Sequence, residues 1–248
     1  MKTKVILALS LVLSLQSEIF SQNGKDSKLF FIQDSIYSEF LKSFEKRNIK
    51  GLEVIENSLI SMSSPLSQYW LAYARYYKSI YFLKMGNKEQ SKKIVQDAID
   101  ALDKLNPKGS EELALLALMQ SYSIQFSSGM GAGIMSARVK ENANQSVILD
   151  SNNIRGWYVL ANNDYYTPKQ FGGGKKVEEY LLKAISLPEQ KIKNPVMPSW
   201  GKNDAYYLLI SFYIDNGDLK KAKKIFTEAK KLYPDDYMIN QYAEKFKN

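Results

Sequence analysis

From Ser27 to the end of the chain, apolar residues recur at intervals of three and four and almost nowhere at two. That spacing lays them along one face of an α-helix, whereas a half-buried strand would alternate. Leu29, Ile32, Ile36, Phe40 and Phe44 make a first face, interrupted at Asn48 and Gly51. Leu52, Ile55, Leu59 and Ile60 make a second, which stops at Ser63-Ser64-Pro65. Helices are then predicted over 67–85, closed by Gly86-Asn87, and over 88–105, closed by Asn106-Pro107. Another starts at Ser110 and breaks at Gly129, Gly131 and Gly133, and a further one leads to Asp150. Residues 154–166, 175–187, 202–216 and 218–233 continue the series, with a short terminal helix from Asp235. Between them lie a glycine-rich loop at 167–174 and the longest connection, 188–201, with Pro188, Pro195 and Pro198. The expected fold is all-α, an α-solenoid of antiparallel helix pairs.

Three of these pairs share a pattern. In the last, Tyr206, Leu209, Ile210 and Tyr213 lie on the first helix, Gly217 is at the turn, Ala222, Phe226 and Ala229 lie on the second helix, and Pro234 follows. The pair at 154–187 has Trp157, Leu160 and Ala161, then Gly172, Val177, Leu181 and Ala184. The pair at 67–105 has Trp70, Tyr73, Ala74 and Tyr77, then Gly86, Ser91, Val95 and Ala98. Small residues let two helices approach, and bulky ones fill the gap to the next pair. Over residues 67–234 the chain resembles tetratricopeptide-like (TPR) repeat proteins. The loop Tyr166-Thr167-Pro168 through Gly174 and the segment Pro198–Lys202 are similar to those of exported bacterial repeat proteins. A more distant resemblance is to the periplasmic helical-repeat component of some solute transporters.

The first residues read differently. Lys2 and Lys4 precede an apolar run from Val5 to Leu15, followed by Ser17, Ser21 and Gln22. A basic start, a short apolar stretch and small or polar residues match a secretory signal, and the run is too short for a permanent membrane span. The expected organisation is a signal peptide over 1–21, with cleavage after Ser21, and a TPR-like domain over 22–248. No later segment has 18 apolar residues in a row, so the mature chain is expected not to span a membrane and to be periplasmic or secreted.

The chain contains no cysteine and no histidine. Disulfides, thiol nucleophiles, thiolate metal sites, zincins and histidine-dependent hydrolases are thereby excluded. Gly172-Gly173-Gly174-Lys175 lacks the spacing of a phosphate-binding loop, and no Ser or Thr follows the lysine. Asp215-Asn216-Gly217-Asp218 lacks the register and closing Glu of a calcium loop. The Ser-x-x-Lys runs at Ser43 and Ser199 lack their companion motifs. No enzyme activity, cofactor or metal is expected. The formal charge of +8 and the lysines of 220–231 fit a solvated basic surface, and the export signal argues against nucleic acid as a partner.

The expected role is therefore a scaffold for a protein or peptide partner in the cell envelope. A soluble receptor for a small solute, accessory to an envelope transporter, is the alternative. With Trp70, Trp157 and Tyr206 at relative position four as core anchors, positions two, five, nine and twelve of each first helix point away from the second helix into a concave groove. They are Gln68, Leu71, Arg75 and Lys78 in the 67 pair, and Arg155, Tyr158, Asn162 and Tyr165 in the 154 pair. In the last pair they are Asp204, Tyr207, Ser211 and Ile214. Of these, Gln68, Arg75, Lys78, Arg155, Tyr158, Asn162, Tyr165, Tyr207 and Ser211 are the candidate binding residues.

Overall fold

One turn design, repeated, folds the chain back on itself. Gly86 and Gly217 both have positive φ, +83° and +77°, which glycine adopts without strain. The amide of the following residue reaches back five positions, from Asn87 to the Phe82 carbonyl at 2.8 Å and from Asp218 to the Tyr213 carbonyl at 2.8 Å. This is the glycine-terminated helix end that satisfies orphan carbonyls. The same residues then begin the next helix. The Asn87 side chain accepts from the Gln90 amide at 3.1 Å, and Asp218 from the Lys221 amide at 3.0 Å.

The computed structural model describes residues 27–190 and 194–247. The expected signal segment, 1–21, lies outside the described residues. Twelve α-helices and no strand occur among the described residues. They are α1 (Ile32–Lys46), α2 (Lys50–Met62), α3 (Pro65–Lys84), α4 (Lys88–Asp103), α5 (Ser110–Ser123) and α6 (Met130–Leu149). Then follow α7 (Ile154–Tyr166), α8 (Val177–Ser186), α9 (Lys202–Asp215), α10 (Leu219–Leu232), α11 (Tyr237–Asn240) and α12 (Ala243–Phe246). Gly51, Gly131 and Gly133 sit in the first turns of α2 and α6 rather than breaking them. The glycine loop is longer than expected, with α8 starting at Val177 instead of Lys175. It folds back onto α7, where the Asp164 carbonyl accepts from the Gly174 amide at 2.9 Å and its carboxylate from the Lys176 amide at 2.7 Å.

The first ten helices pack as consecutive hairpins, α1–α2 through α9–α10. The odd-numbered helices also touch one another in order and form an inner layer. Each even-numbered helix packs between the two odd-numbered helices that flank it and lies on the outside. This two-layer solenoid is the expected α-solenoid of helix pairs. Alanines and serines allow the close approach within pairs: Ala161 and Ala184, Ala205 and Ala222, and Ser79 against Ser91 are all buried. The Ser79 and Ser91 hydroxyls lie 3.0 Å apart, each fully enclosed.

The expected anchors divide. Trp70 and Tyr206 are buried, with exposures of 0% and 1%. Trp157 is only partly buried; it packs on Tyr180 at 5.8 Å and donates to the Ser151 carbonyl at 2.9 Å.

Candidate functional site: a tyrosine-lined concave face

The inner layer carries a dense set of tyrosines. On α3 they include Tyr69, Tyr73, Tyr76 and Tyr77. Tyr77 meets Tyr37 of α1 edge-on at 5.8 Å, and Tyr76 meets Tyr122 of α5 at 5.4 Å. The Tyr73 and Tyr77 hydroxyls are 3.3 Å apart. Helix α7 adds Tyr158, Asn162 and Tyr165. Burial raises the phenol pKa values of Tyr73, Tyr76, Tyr77 and Tyr158, so these rings stay neutral through the physiological range. Asp204, at the third position of α9, accepts from the Gly201 amide at 3.2 Å and caps that helix. Its carboxyl is pushed up to about 6, first by desolvation and then by the nearby Asp236 carboxylate.

Part of this concave face is already filled. Residues 194–201, part of the long connection 188–201 read from the sequence, run through it as a strap. The Gln33 side chain of α1 accepts from the Ser199 amide at 2.8 Å and donates to the Ser199 hydroxyl at 3.1 Å. The Trp70 indole donates to the Val196 carbonyl at 3.0 Å, and the Trp200 indole donates to the Tyr69 hydroxyl at 2.7 Å. Trp200 stacks on Tyr73 at 6.1 Å and meets Tyr158 edge-on at 6.5 Å. Val196, Pro198 and Trp200 are buried. The strap ties α1, α3 and α7 together from the inside.

Arg155 fixes the end of the strap, and this overturns its assignment to an open groove. Its side chain is fully buried. The guanidinium grips Glu111 of α5 with two bonds, 2.5 and 2.6 Å, donates to the Trp200 carbonyl at 3.3 Å, and also donates to the Gln190 side chain. Burial raises the Glu111 carboxyl, and Arg155 acts against that rise. A buried guanidinium with this many acceptors is a structural clamp.

On α3 the expected positions also fall elsewhere. Gln68, Leu71 and Arg75 line a shallow recess of about 190 Å³ with Ala98, Ala101 and Leu102 of α4, on the outer seam. Lys78 turns to α2, where it pairs with Glu56 at 3.2 Å and Glu53 at 4.0 Å. A register taken from Trp70 is out of phase with the one counted from the turn, because Trp70 faces the strap and not its own second helix. Counting from the turn finds the right face. Tyr76 and Tyr73 precede Gly86 by the same 10 and 13 positions by which Tyr207 and Asp204 precede Gly217. Tyr73, Tyr76 and Tyr77 are thus the inner residues that the Trp-based register missed.

The remaining candidates lie on or beside the inner layer with partners of their own. Asn162 donates to Ser121 at 3.0 Å and bridges α7 to α5. The Tyr165 hydroxyl bonds to Asp215. Tyr207 stacks on Tyr242 at 5.5 Å, and the Tyr242 hydroxyl is 2.6 Å from Ser211. The C-terminal residues after α11 therefore cover Tyr207 and Ser211. Tyr158 is partly open and flanked by Trp200. A second recess, about 230 Å³, lies between α1 and α2 at Glu39, Lys46 and Lys50. Neither recess reaches the roughly 300 Å³ that a small-solute pocket needs, and neither involves the tyrosines.

The architecture defines a TPR-type helical-repeat solenoid with a concave inner face. A thermophilic TPR protein of Thermus thermophilus superposes with a TM-score of 0.57 at 14% identity, over 86% of this chain and 97% of its own. YrrB, a TPR protein with an unusual peptide-binding site, aligns over 93% of this chain and 97% of its own, also at 14% identity, but with a TM-score of only 0.38. No protein-family profile matches the chain, and no curated sequence matches it. At this identity the first superposition speaks to the fold alone. No helix among the described residues is long and apolar enough to cross a membrane.

Proposed function

We propose that the protein is an exported scaffold of the cell envelope, which binds a protein or peptide partner along its concave face. One observation carries the reading: this face already holds an irregular, non-helical peptide segment, the strap of residues 194–201, which turns at Pro195-Val196. It does so by side-chain bonds to backbone groups, from Gln33 to the Ser199 amide and from Trp70 to the Val196 carbonyl. Tyrosine and tryptophan faces supply contact area at small entropic cost, and amide and indole groups satisfy the peptide backbone. The tyrosines next to the strap, Tyr37, Tyr76, Tyr77 and Tyr158, extend the same surface. Export is supported by the basic start and apolar run of residues 1–15.

Affinity capture from native envelopes tests the binding role, with wild type and Tyr158→Ala compared side by side. The expected result is a reproducible partner whose affinity falls by about 1–2 kcal/mol in the variant, as at a binding hot spot. A partner held equally by both proteins would remove the concave face from the account. N-terminal sequencing tests export: a mature start near Gln22 is expected, and a start at Met1 would end that part of the proposal.

A further inference from the structure

The positive charge of the solenoid is gathered on one helix of its outer layer. Helix α10 holds six lysines and one glutamate in 14 residues, a net +5 in a chain of net +8. The other outer helices, α2, α4, α6 and α8, each carry a net charge of one unit, positive only in α6. Ala222, Ile225 and Ala229 bury one side of α10. Two lysines on its flanks are tied into the fold: Lys221 pairs with Glu178 at 3.0 Å, and Lys230 donates to the Pro234 carbonyl at 2.5 Å. The one acid, Glu228, accepts from the Tyr206 hydroxyl at 2.6 Å. The side opposite the buried alanines presents Lys220, Lys223, Lys224, Thr227 and Lys231, all exposed. At the rise of an α-helix this stripe is about 16 Å long. Lys220, Lys224 and Lys231 have no acceptor among the described residues. The arrangement works against the helix itself. Lys220 and Lys221 lie in the first turn, where the helix dipole repels cations, and Lys220 and Lys224 are like charges one turn apart. Helix α4 instead sets Lys93 against Asp97 one turn on, at 2.5 Å. The stability of α10 therefore does not account for its lysines.

We propose that the outward face of α10 docks the protein on the surface of an anionic lipid bilayer. The inference goes beyond the binding role of the concave face, since α10 belongs to the outer layer and docking there leaves the inner face open. The composition of the stripe selects among polyanions. It has no arginine, whose planar fork suits fixed phosphate and carboxylate geometry, and no aromatic or amide side chain to stack on a base or read its edge. Lysine is also depleted where proteins bury surface against one another. An ammonium on a flexible stem suits a fluid layer of phosphate headgroups, in which charge density counts and fixed geometry does not. The attraction falls off within about 8 Å at physiological ionic strength. Lysines along one line of a helix therefore act on a flat surface together, whereas those scattered over several helices do not.

The test uses the protein from Gln22 onward, which carries every described residue and lacks the apolar run Val5–Leu15, itself able to enter lipid. Co-sedimentation is measured with vesicles of phosphatidylcholine alone and of phosphatidylcholine with an equal part of phosphatidylglycerol. The charged vesicles are expected to bind at least about tenfold more tightly, and raising the salt from about 0.05 M to about 0.5 M should abolish the difference. Each lysine near an anionic surface contributes about a fivefold factor, so the triple change Lys220→Gln, Lys224→Gln and Lys231→Gln should weaken that binding about a hundredfold. The control removes the same charge from α4 and α6, by Lys88→Gln, Lys92→Gln and Lys140→Gln, and should weaken it less than about threefold. Circular dichroism confirms that both variants are folded. Equal binding to the two vesicles, binding to neither, or an equal loss in the control overturns the inference. So does tighter binding of a DNA oligonucleotide or of polyglutamate than of the charged vesicles at the same salt. The wider reading fails separately: Tyr158→Ala should bind the charged vesicles as wild type does. A captured partner indifferent to Tyr158→Ala sinks the concave face alone, whereas one that needs Tyr158 while the charged vesicles are ignored sinks only the docking face.

Discussion

The α9–α10 pair and the α3–α4 pair end their first helices with the same glycine turn, yet they aim their leading aromatic residues at different places. Tyr206 of α9 faces its own second helix: its hydroxyl bonds to Glu228 of α10 at 2.6 Å, and its ring packs by Tyr233. Trp70 of α3 faces inward and bonds to Val196 of the strap. Counted from the turns, Tyr206 corresponds to Arg75, a residue of the outer seam. A large aromatic residue therefore marks a buried face without saying which one. On a helix with neighbours on nearly every side, several faces are buried, and the turn fixes the phase where the aromatic residue does not.

Removing the strap's main partner should break the comparison most sharply. Trp70→Ala leaves a cavity in a fully buried site and strips the Val196 carbonyl of its donor, so a loss of about 3–5 kcal/mol is expected in chemical denaturation. Trp157→Ala, at a partly exposed site, should cost roughly half of that. Equal losses would mean that the two tryptophans occupy equivalent positions after all.

Arg155→Met comes next. It preserves much of the side-chain volume but leaves Glu111 buried without its cation, a change that costs about 3 kcal/mol or more at neutral pH. With Arg155 gone, the Glu111 carboxyl should rise further above its ordinary range. The deficit then belongs to the ionised form and should shrink as the pH is lowered and Glu111 takes up a proton. Adding Glu111→Gln should recover part of the loss at pH 7. A deficit independent of pH, with no rescue, would mean that Arg155 matters for packing alone.

Much of the architecture was legible because it is written locally. The three-and-four spacing, Gly86-Asn87, Gly217-Asp218 and the capping Asn153 each act within a few residues, so the helices and their order follow directly. The strap was not legible, since its contacts join residues far apart: Gln33 and Ser199 are separated by 166 positions, Trp70 and Val196 by 126. Pro195 and Pro198 announce a non-helical segment but not what it lies against. Arg155 was misplaced for a related reason. Its position on α7 does face inward, but Glu111, Gln190 and Trp200 close over it, and none is near in sequence. Tyr158, Tyr207 and Asp204 were placed on the inner face because the α7 and α9 registers hold. The rise of the Asp204 carboxyl, caused by burial and by Asp236 at the start of α11, could not be read from α9 alone.

The α9 end of the comparison is sharpened by pH. Asp204 titrates near pH 6, above the usual carboxylate range, so the folded protein holds that proton more tightly than the unfolded chain. The stability linked to this group is complete below pH 4 and is lost as the pH rises through 6. Asp204→Asn keeps an acceptor for the Gly201 amide but has no charge to desolvate. Its thermal stability should exceed that of wild type by about 1–2 kcal/mol at pH 8, after allowance for solvent screening, and match it near pH 4. An advantage of wild type at pH 8 would mean that the carboxylate has a counter-charge in solution.

The smallest effect expected is also the most local. Gln33 is the link between α1 and the strap: its amide pairs with both the backbone and the hydroxyl of Ser199. Gln33→Ala removes two bonds and leaves the partly buried Ser199 amide without an acceptor, which should cost about 1 kcal/mol in global stability. The distribution of the loss matters more than its size. If the strap is held from α1, amide exchange should accelerate over 196–201 and in α1, while α10, which packs against α9 and α11, keeps the wild-type rate. Gln33→Glu sharpens the point: a carboxylate still accepts from the Ser199 amide and can accept from its hydroxyl, so exchange in the strap should stay near the wild-type rate at pH 7. Acceleration spread evenly over all five pairs would show instead that the strap and the solenoid open together as one unit, with the strap as much a part of the core as any helix.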